Sequence, residues 1–528
     1  MGSLCRVGSA ETGSGRPRRA TGPCGTQIAD AIDSLDTTGW HATVADELAT
    51  IRAGLDEPLR VAVTGRVNAG KSTIVNALLH QRIAATDVSE CTKYVTWFRY
   101  GVPERVDVVL SDGSRRPVAL RPDGRLPDRL GGALGPARIG DELDDRDAEP
   151  ADPLVDHLEV FLSNSSLESL TLIDTPGIAS TDERAGVASR ELLALDHDSR
   201  SAAARADVLV FVIAGGLQHD DTRFVESFHR HFTGLDSSPF STVTVLNKVD
   251  HLFDRSTHPV GEAGEWCDRM SRQLRNAVAA VVPLVGLLAE TADTGALTHT
   301  DIEALTLASR TDPRALDRAL LSVDRFVRSD LFGATPYQRE RLLELLDLTG
   351  ARMVLEALRD GGSGLAEAVA VIRGRSGVET LRRLIGERVL RHADVLKARA
   401  ALAGLERLAY RAAPHERTSL LDTVDALQVD PTMHRVRELG ALQRLVSGEV
   451  VFDGSAHLEI ERLFGDGTLA ERLGLGSTAD HNAIRRAAIA GAQRWRTRAS
   501  GEPFAGRREV AEIVGRSYEL LWQQLSSA

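Results

Sequence analysis

The residues Gly65-Arg66-Val67-Asn68-Ala69-Gly70-Lys71-Ser72 match the pattern GxxxxGK[ST] in full. Such a loop wraps phosphate. Backbone N–H groups in the loop and at the start of the following helix point at the oxygens, and the helix dipole favours their charge. Lys71 would reach the β- and γ-phosphates, and Ser72 would place its hydroxyl on Mg²⁺. Gly65, Asn68, Ala69, Gly70, Lys71, Ser72 and Thr73 are therefore the candidate nucleotide contacts, with Lys71 also a candidate catalytic residue. The context is the required one: the apolar run Leu59 to Thr64 reads as a buried strand, and Thr73 to Leu79 reads as a helix.

Asp174-Thr175-Pro176-Gly177 ends a second apolar run, Leu170 to Ile173. An Asp there would hold Mg²⁺ through water, and the Gly177 amide would meet the γ-phosphate, so that the following loop responds to hydrolysis. Asn247-Lys248-Val249-Asp250 ends a third run. The Asp250 carboxylate would accept from guanine N1–H and the 2-amino group, while Lys248 lays its stem along the base. Adenine presents neither donor and would leave the carboxylate unpaired, the kind of penalty that gives strong discrimination. The expected ligands are thus GTP and GDP. Thr92 lies about twenty residues past the Gly-rich loop and just before a strand. It is the candidate to complete Mg²⁺ coordination and meet the γ-phosphate, with Thr86 and Thr96 as alternatives. A further segment for the ribose and base is expected near Val285 and Gly286, without the usual Ser-Ala signature.

The chain has only four lysines, and three of them, Lys71, Lys93 and Lys248, lie in or beside these motifs. The fourth, Lys397, is far downstream. Arginine serves wherever any cation suffices, so the lysines mark places that a planar guanidinium does not suit. Two other groups draw the simpler reading of a solvated helix face. His229 and His231 lack a third ligand at suitable spacing, and Arg485, Arg486, Arg494, Arg496 and Arg498 form a basic run near the C-terminus.

Positioning these motifs requires a sheet. Besides the runs above, strands are expected at Tyr94 to Arg99, Val106 to Leu110, Leu158 to Leu162, Val208 to Ile213, Thr242 to Leu246 and Val281 to Leu287. Helical stretches separate several of them. That alternation predicts an α/β domain with a mostly parallel sheet and flanking helices. Ahead of it, Ile28, Ile32, Leu35, Val44, Leu48, Ile51 and Leu55 recur at helical spacing. After about residue 300 the strand signals fade. Val378, Leu381, Ile385 and Val389, then Val395, Leu402, Leu405 and Leu408, and finally Val510, Val514, Ser517 and Leu521 form stripes of long amphipathic helices packed as a bundle. Breaks are expected near Gly361 to Gly364, at Pro414, and from Gly448 to Gly476.

Composition bounds the class. The chain is 42% hydrophobic and 26% charged, as in soluble globular proteins. The net charge is −12, and Asp141 to Asp156 alone contributes −7, from eight acids and one base. That balance argues against a general nucleic-acid binder, which usually carries a basic domain. Cys5, Cys24, Cys91 and Cys267 show neither metal spacing nor a disulfide framework and read as free thiols in a reducing cytoplasm. No window approaches the ~18 apolar residues of a membrane span, and the N-terminus lacks an apolar signal-peptide core. Membrane contact is expected to be peripheral.

The ordered motifs GRVNAGKS, Thr92, DTPG and NKVD, followed by about 200 residues of helices, resemble the dynamin superfamily. GRVNAGKSTIVNALL, VVPLVGLLAET (Val281 to Thr291) and the stretch Ser376 to Glu406 resemble the actinobacterial dynamin-like proteins related to the isoniazid-inducible ones. The resemblance spans roughly residues 27 to 526. It implies a GTPase head on an elongated helical neck and trunk, divided as a disordered tail (1–25), N-terminal helices joining the bundle (26–57), the GTPase domain (58–300, with an acidic insertion at about 122–156) and the bundle (301–528). It also implies hydrolysis of GTP to GDP and phosphate with Mg²⁺, peripheral association with the inner face of the cell membrane, self-association through the heads, remodelling of the bilayer by fission or fusion, and a second dynamin-like protein as partner. Eukaryotic dynamins carry a Gln and a Ser where this chain has Val67 and Asn68. Val67 cannot orient water, so Thr92, backbone groups or a partner head must serve. The alternative is a GTP-controlled switch or assembly factor with slow hydrolysis and no membrane deformation. The expected lipid contact is Val450, Val451 and Phe452, within the Gly-rich connection.

Overall fold

Strands rich in Val, Ile and Leu, with no polar face, can be satisfied only inside a sheet covered on both sides. Such runs build the centre of this fold. The computed structural model describes residues 22–84, 94–121, 123–127, 155–176, 206–215, 242–253, 255–274, 278, 280–330, 333–362, 364–465, 467–476 and 478–527. Thr86, Thr92, Lys93, Gly177, His229, His231 and most of the acidic stretch lie outside the described residues.

Helices α1 (Pro23–Asp33) and α2 (Ala42–Asp56) precede the first strand. The strands are β1 (Leu59–Gly65), β2 (Thr96–Tyr100), β3 (Arg105–Leu110), β4 (Arg115–Val118), β5 (Val155–Leu162), β6 (Leu170–Asp174), β7 (Val208–Ala214), β8 (Thr242–Asn247) and β9 (Ala280–Pro283). They form one nine-stranded sheet in the order β4-β3-β5-β2-β6-β1-β7-β8-β9. The run from β6 through β9 is parallel, whereas β2 pairs antiparallel with β6, and β3 antiparallel with both β4 and β5. The sheet is therefore mixed and mostly parallel. Helices α3 (Lys71–Leu79), α4 (Gly286–Asp293), α5 (Pro336–Arg359), α6 (Leu365–Ser376) and α7 (Val378–Leu384) follow in this part of the chain. One face of β7 and β8, through Leu209, Phe211, Ile213 and Leu246, shares a core with Leu288, Leu345, Met353 and Ile372 of α4 to α6.

Three local differences from the sequence reading have physical causes. The apolar run Val281 to Leu287 is not one strand: β9 ends at Pro283 and α4 begins at Gly286, and an all-apolar run carries no period to show the change. Residues 23–25, assigned to the tail, open α1. Pro23 takes the helix's first turn, where its missing N–H costs nothing, and the Cys24 thiol donates to Thr432 O at 3.4 Å, a contact no local pattern reveals. The stripe Val378 to Val389 holds, but its backbone changes to a π-helical turn at Ile385–Val389.

The chain divides into two units, residues 1–57 with 397–433, and residues 58–396 with 434–528. In the first, α1 and α2 lie with the C-terminal part of α8 (Ala393–Arg411) and with α9 (Pro414–Val429). The Glu416 carboxylate accepts from the backbone N–H groups of His41 (2.6 Å) and Ala413 (2.8 Å). Lys397 Nζ donates to the Gly54 and Glu57 carbonyls, the unsatisfied end of α2.

In the second unit, helices His434–Val446 and Gly454–Phe464 pack with α10 (His481–Gly501) and α11 (Ala505–Ser527) around Trp495. Gly491 lets the helices approach, since a Cβ there would lie 2.4 Å from the Tyr518 ring. The expected lipid contact changes here. Val450 (3% exposed) and Phe452 (6%) belong to this core, with Phe452 edge-on to Trp495 at 5.6 Å, and only Val451 (66%) faces outward. The basic run is largely paired: Arg494 with Glu459, Arg496 with Glu519 and Arg498 with Asp453.

Candidate functional site

The Gly-rich loop leaves β1 at Gly65 and enters α3 at Lys71. Gly65 sits at φ 151°, and a Cβ there would lie 2.2 Å from Val212 O of β7, so only glycine keeps the two strands in register. Gly70 (φ 92°) and Asn68 (φ 61°) are both left-handed. The loop therefore turns tightly, with Ala69 N–H donating to Arg66 O at 3.2 Å. Lys71 is 7% exposed and its Nζ donates to Arg66 O at 3.1 Å, across the loop. Burial pulls its pKa down, offset in part by Asp174.

Parallel pairing sets Val63 of β1 beside Asp174 of β6, and Thr175 is anchored by its N–H and hydroxyl to Val63 O. Ser72 Oγ then donates to Asp174 Oδ2 at 2.7 Å. The other carboxylate oxygen, Oδ1, is buried with no partner. Burial pushes Asp174 up to about 6, against the Ser72 hydrogen bond and the Lys71 charge. A buried carboxylate with a spare oxygen, beside a hydroxyl, is a hard oxygen donor set that suits Mg²⁺. Thr96, one alternative to Thr92, is buried in β2 directly across from Asp174 in the antiparallel register.

The base side is built on Asn247, at the end of β8. Its amide joins two loops: Nδ2 donates to Ala69 O at 2.8 Å and Oδ1 accepts from Gly286 N at 2.8 Å. A Cβ at Gly70 or at Gly286 would press on that same amide, at 2.3 and 2.9 Å. The segment Leu284 to Gly286 thus joins the site, secured further by Leu284 N to Leu246 O (2.8 Å) and Val285 N to Ser376 O (2.9 Å). Lys248 adopts a left-handed conformation (φ 58°) and turns the chain so that Asp250 becomes buried, 5% exposed. Asp250 Oδ1 has no partner in the protein. Burial raises its pKa, with His251 opposing. A buried carboxylate with an open oxygen is disposed to accept from a ligand's N–H groups.

The structure therefore brings together Gly65, Asn68, Ala69, Gly70, Lys71, Ser72 and Thr73 with Asp174, Asn247, Lys248 and Asp250. Sequence reasoning missed Asn76 and Glu290. Asn76 Nδ2 donates to Glu290 Oε1 at 2.8 Å, between residues 214 positions apart. Nothing in the linear pattern signals such a pair.

A family model described as the Dynamin family matches residues 61–248. Isoniazid-induced protein IniC of Mycobacterium tuberculosis is 33% identical over 491 residues, covering 91% of this chain and 93% of that protein. A bacterial dynamin-like protein of Nostoc punctiforme is 29% identical over 126 residues, 24% of this chain and 17% of that one. A solved structure of an oligomerised bacterial dynamin pair aligns with 99% of this chain and 91% of its own at 13% identity, with a TM-score of 0.32. With its phosphate loop, buried Asp174 and Asn247 clamp in one site, and with a relative matched over nearly its whole length, the chain belongs to the dynamin family of GTP hydrolases.

Proposed function

We propose that the chain hydrolyses GTP to GDP and phosphate and couples turnover to self-association through its GTP-binding heads and to remodelling of the cytoplasmic membrane. The observation that carries the chemistry is the pair of unsatisfied buried carboxylate oxygens, Asp174 Oδ1 on the phosphate side and Asp250 Oδ1 on the base side. Each is costly to leave unpaired. The first suits a hydrated cation and the second suits the N–H groups of guanine.

Lys71 binds the β- and γ-phosphates as a flexible point charge. Ser72 and Thr92 would hold Mg²⁺ directly and Asp174 through water; when bound, the ion would neutralise charge on the phosphates. The Gly177 amide meets the γ-phosphate. Lys248 covers the base, and Asp250 accepts from N1–H and the 2-amino group. Water attack is positioned by Thr92 and backbone groups, because Val67 offers no polar atom.

The membrane part of the reading rests on family membership and on the helices that follow the head. Among the described residues no helix is long and apolar enough to cross a membrane. A second dynamin-like protein is the proposed partner. Val67 favours one other reading, a GTP-controlled switch with slow hydrolysis that never deforms lipid. Co-sedimentation with anionic liposomes separates them. The remodelling account expects binding that depends on the nucleotide, and absence of binding with GTP, with GDP and without nucleotide would leave only the switch.

A further inference from the structure

Asp250 does not stand alone. The short 3₁₀ turn Val249–His251 sets His251 beside it, and Asp347 of α5 comes from far along the chain to meet them. His251 Nε2 lies 3.8 Å from Asp250 Oδ2 and 3.5 Å from Asp347 Oδ2. One atom from each of the three side chains falls within 4.8 Å of the other two. Among the described residues, neither carboxylate pairs with a lysine or an arginine.

Asp347 is held in place by its surroundings. It takes φ 53° and ψ −177° within α5, a costly backbone for any residue but glycine. Helix α5 is pinned to α4 on both sides of it. Thr291 Oγ1 donates to Leu345 O at 2.6 Å, and a Cβ at Gly350 would lie 2.4 Å from Leu288 Cδ2. Asp347 Oδ1 accepts from Leu348 N at 2.6 Å, which leaves Oδ2 towards His251.

The separations show what the cluster suits. Both exceed the ~3 Å of a good N–H···O hydrogen bond. They approach the spacing between neighbouring ligands of tetrahedral zinc, about 3.3 Å for bonds near 2 Å. Asp250 is 5% exposed and its Oδ1 has no partner, so this buried carboxylate is still short of one. One imidazole nitrogen with two carboxylates is a donor set for zinc and its first-row neighbours; Mg²⁺ favours oxygen alone. We propose that Asp250, His251 and Asp347 form a binding site for a divalent ion of the zinc class, and that an ion there closes the base site to guanine. The guanine contact uses both Asp250 oxygens, and an ion on Oδ2 withdraws one. This competition rests on the reading of Asp250 as the guanine acceptor; the metal site does not.

The test measures zinc uptake by calorimetry on the chelator-treated full chain without nucleotide, in the wild type, His251→Arg and Asp347→Asn. His251→Arg keeps a cation between the carboxylates but cannot ligate, and Asn tolerates a positive φ. GDP affinity is then measured in millimolar Mg²⁺, with zinc and with chelator. Losing even a supporting residue costs metal sites about 10–100-fold, so each variant should bind zinc at least about tenfold more weakly. With chelator, GDP affinity in both should stay within about twofold of the wild type, which also checks folding. Saturating zinc should weaken GDP binding at least about tenfold in the wild type and leave the variants unchanged, and GDP should weaken zinc binding by the same factor. Absent uptake, or uptake unchanged in either variant, would overturn the site. GDP affinity indifferent to zinc in a wild type that takes it up would overturn the competition. Guanine selectivity of Asp250→Asn, measured with chelator, tests the guanine reading with no metal present, so the two failures are told apart.

Discussion

On the proposed reading, two residues define the ligand. Lys71→Ala removes the cation on the phosphates and should abolish detectable binding of GTP and GDP by calorimetry; retained micromolar affinity would contradict its assigned role. Asp250→Asn should lower guanine affinity by about 100-fold and raise that for xanthine nucleotides, because an amide can donate to the 2-oxo group. Asp174 gives a pH signature in the protein free of nucleotide and Mg²⁺. Burial raises its pKa to about 6, so the native state holds that proton more tightly than the unfolded chain. The resulting stabilisation is complete below the ordinary carboxylate value near 4 and is lost as pH rises through about 6. Asp174→Asn removes the charge, so the variant should be the more stable protein at pH 8, by on the order of 2–3 kcal/mol. Denaturant titrations should show that gap closing towards pH 4, and a gap independent of pH would refute the assignment. At this scale the phosphate and base motifs are legible in the sequence because each is a contiguous run with its chemistry in its own letters. Asn76 and Glu290 are not legible, because their meaning lies in a contact between distant positions.

At the scale of elements, buried parallel strands read clearly as apolar runs, and β1, β6, β7 and β8 fall within a residue or two of the expected bounds. The failures occur where tertiary contacts override local pattern. The β9-to-α4 change at Gly286 is imposed by Asn247. Inside α5, Asp347 takes non-helical angles (φ 53°, ψ −177°), and Thr291 Oγ1 of α4 donates to the nearby Leu345 carbonyl at 2.6 Å. Val450 and Phe452 illustrate the same limit, since hydrophobic letters in a Gly-rich stretch cannot say which way they face. Two substitutions test the element contacts. Gly65→Ala should cost about 3 kcal/mol by chemical denaturation, because its Cβ meets the Val212 carbonyl and the β1–β7 pair must shift. Lys397→Met should cost about 1 kcal/mol, because it leaves the carbonyls at the end of α2 without their cap. An unchanged midpoint in either would contradict the contact described.

On the scale of the whole molecule, the ends of β1, β6 and β8 and the start of α3 bring together Lys71, Ser72, Asp174 and Asn247 as the described part of the candidate GTP site. The ordered motifs and the length of the helical region made the family legible before any coordinates. How the helices divide was not, because amphipathic stripes give a helix's buried face but not its neighbour, and the pairing of residues 1–57 with 397–433 depends on contacts such as Glu416 with His41. Val67 offers no polar atom to orient water, so on the proposed account an isolated head should turn over slowly and assembly should supply what is missing. The measurement that addresses this most directly is GTP hydrolysis per protein molecule as a function of protein concentration, with and without anionic liposomes. The account predicts a specific rate that rises with concentration and rises further on liposomes. A specific rate that stays flat across concentration and is indifferent to lipid would contradict it.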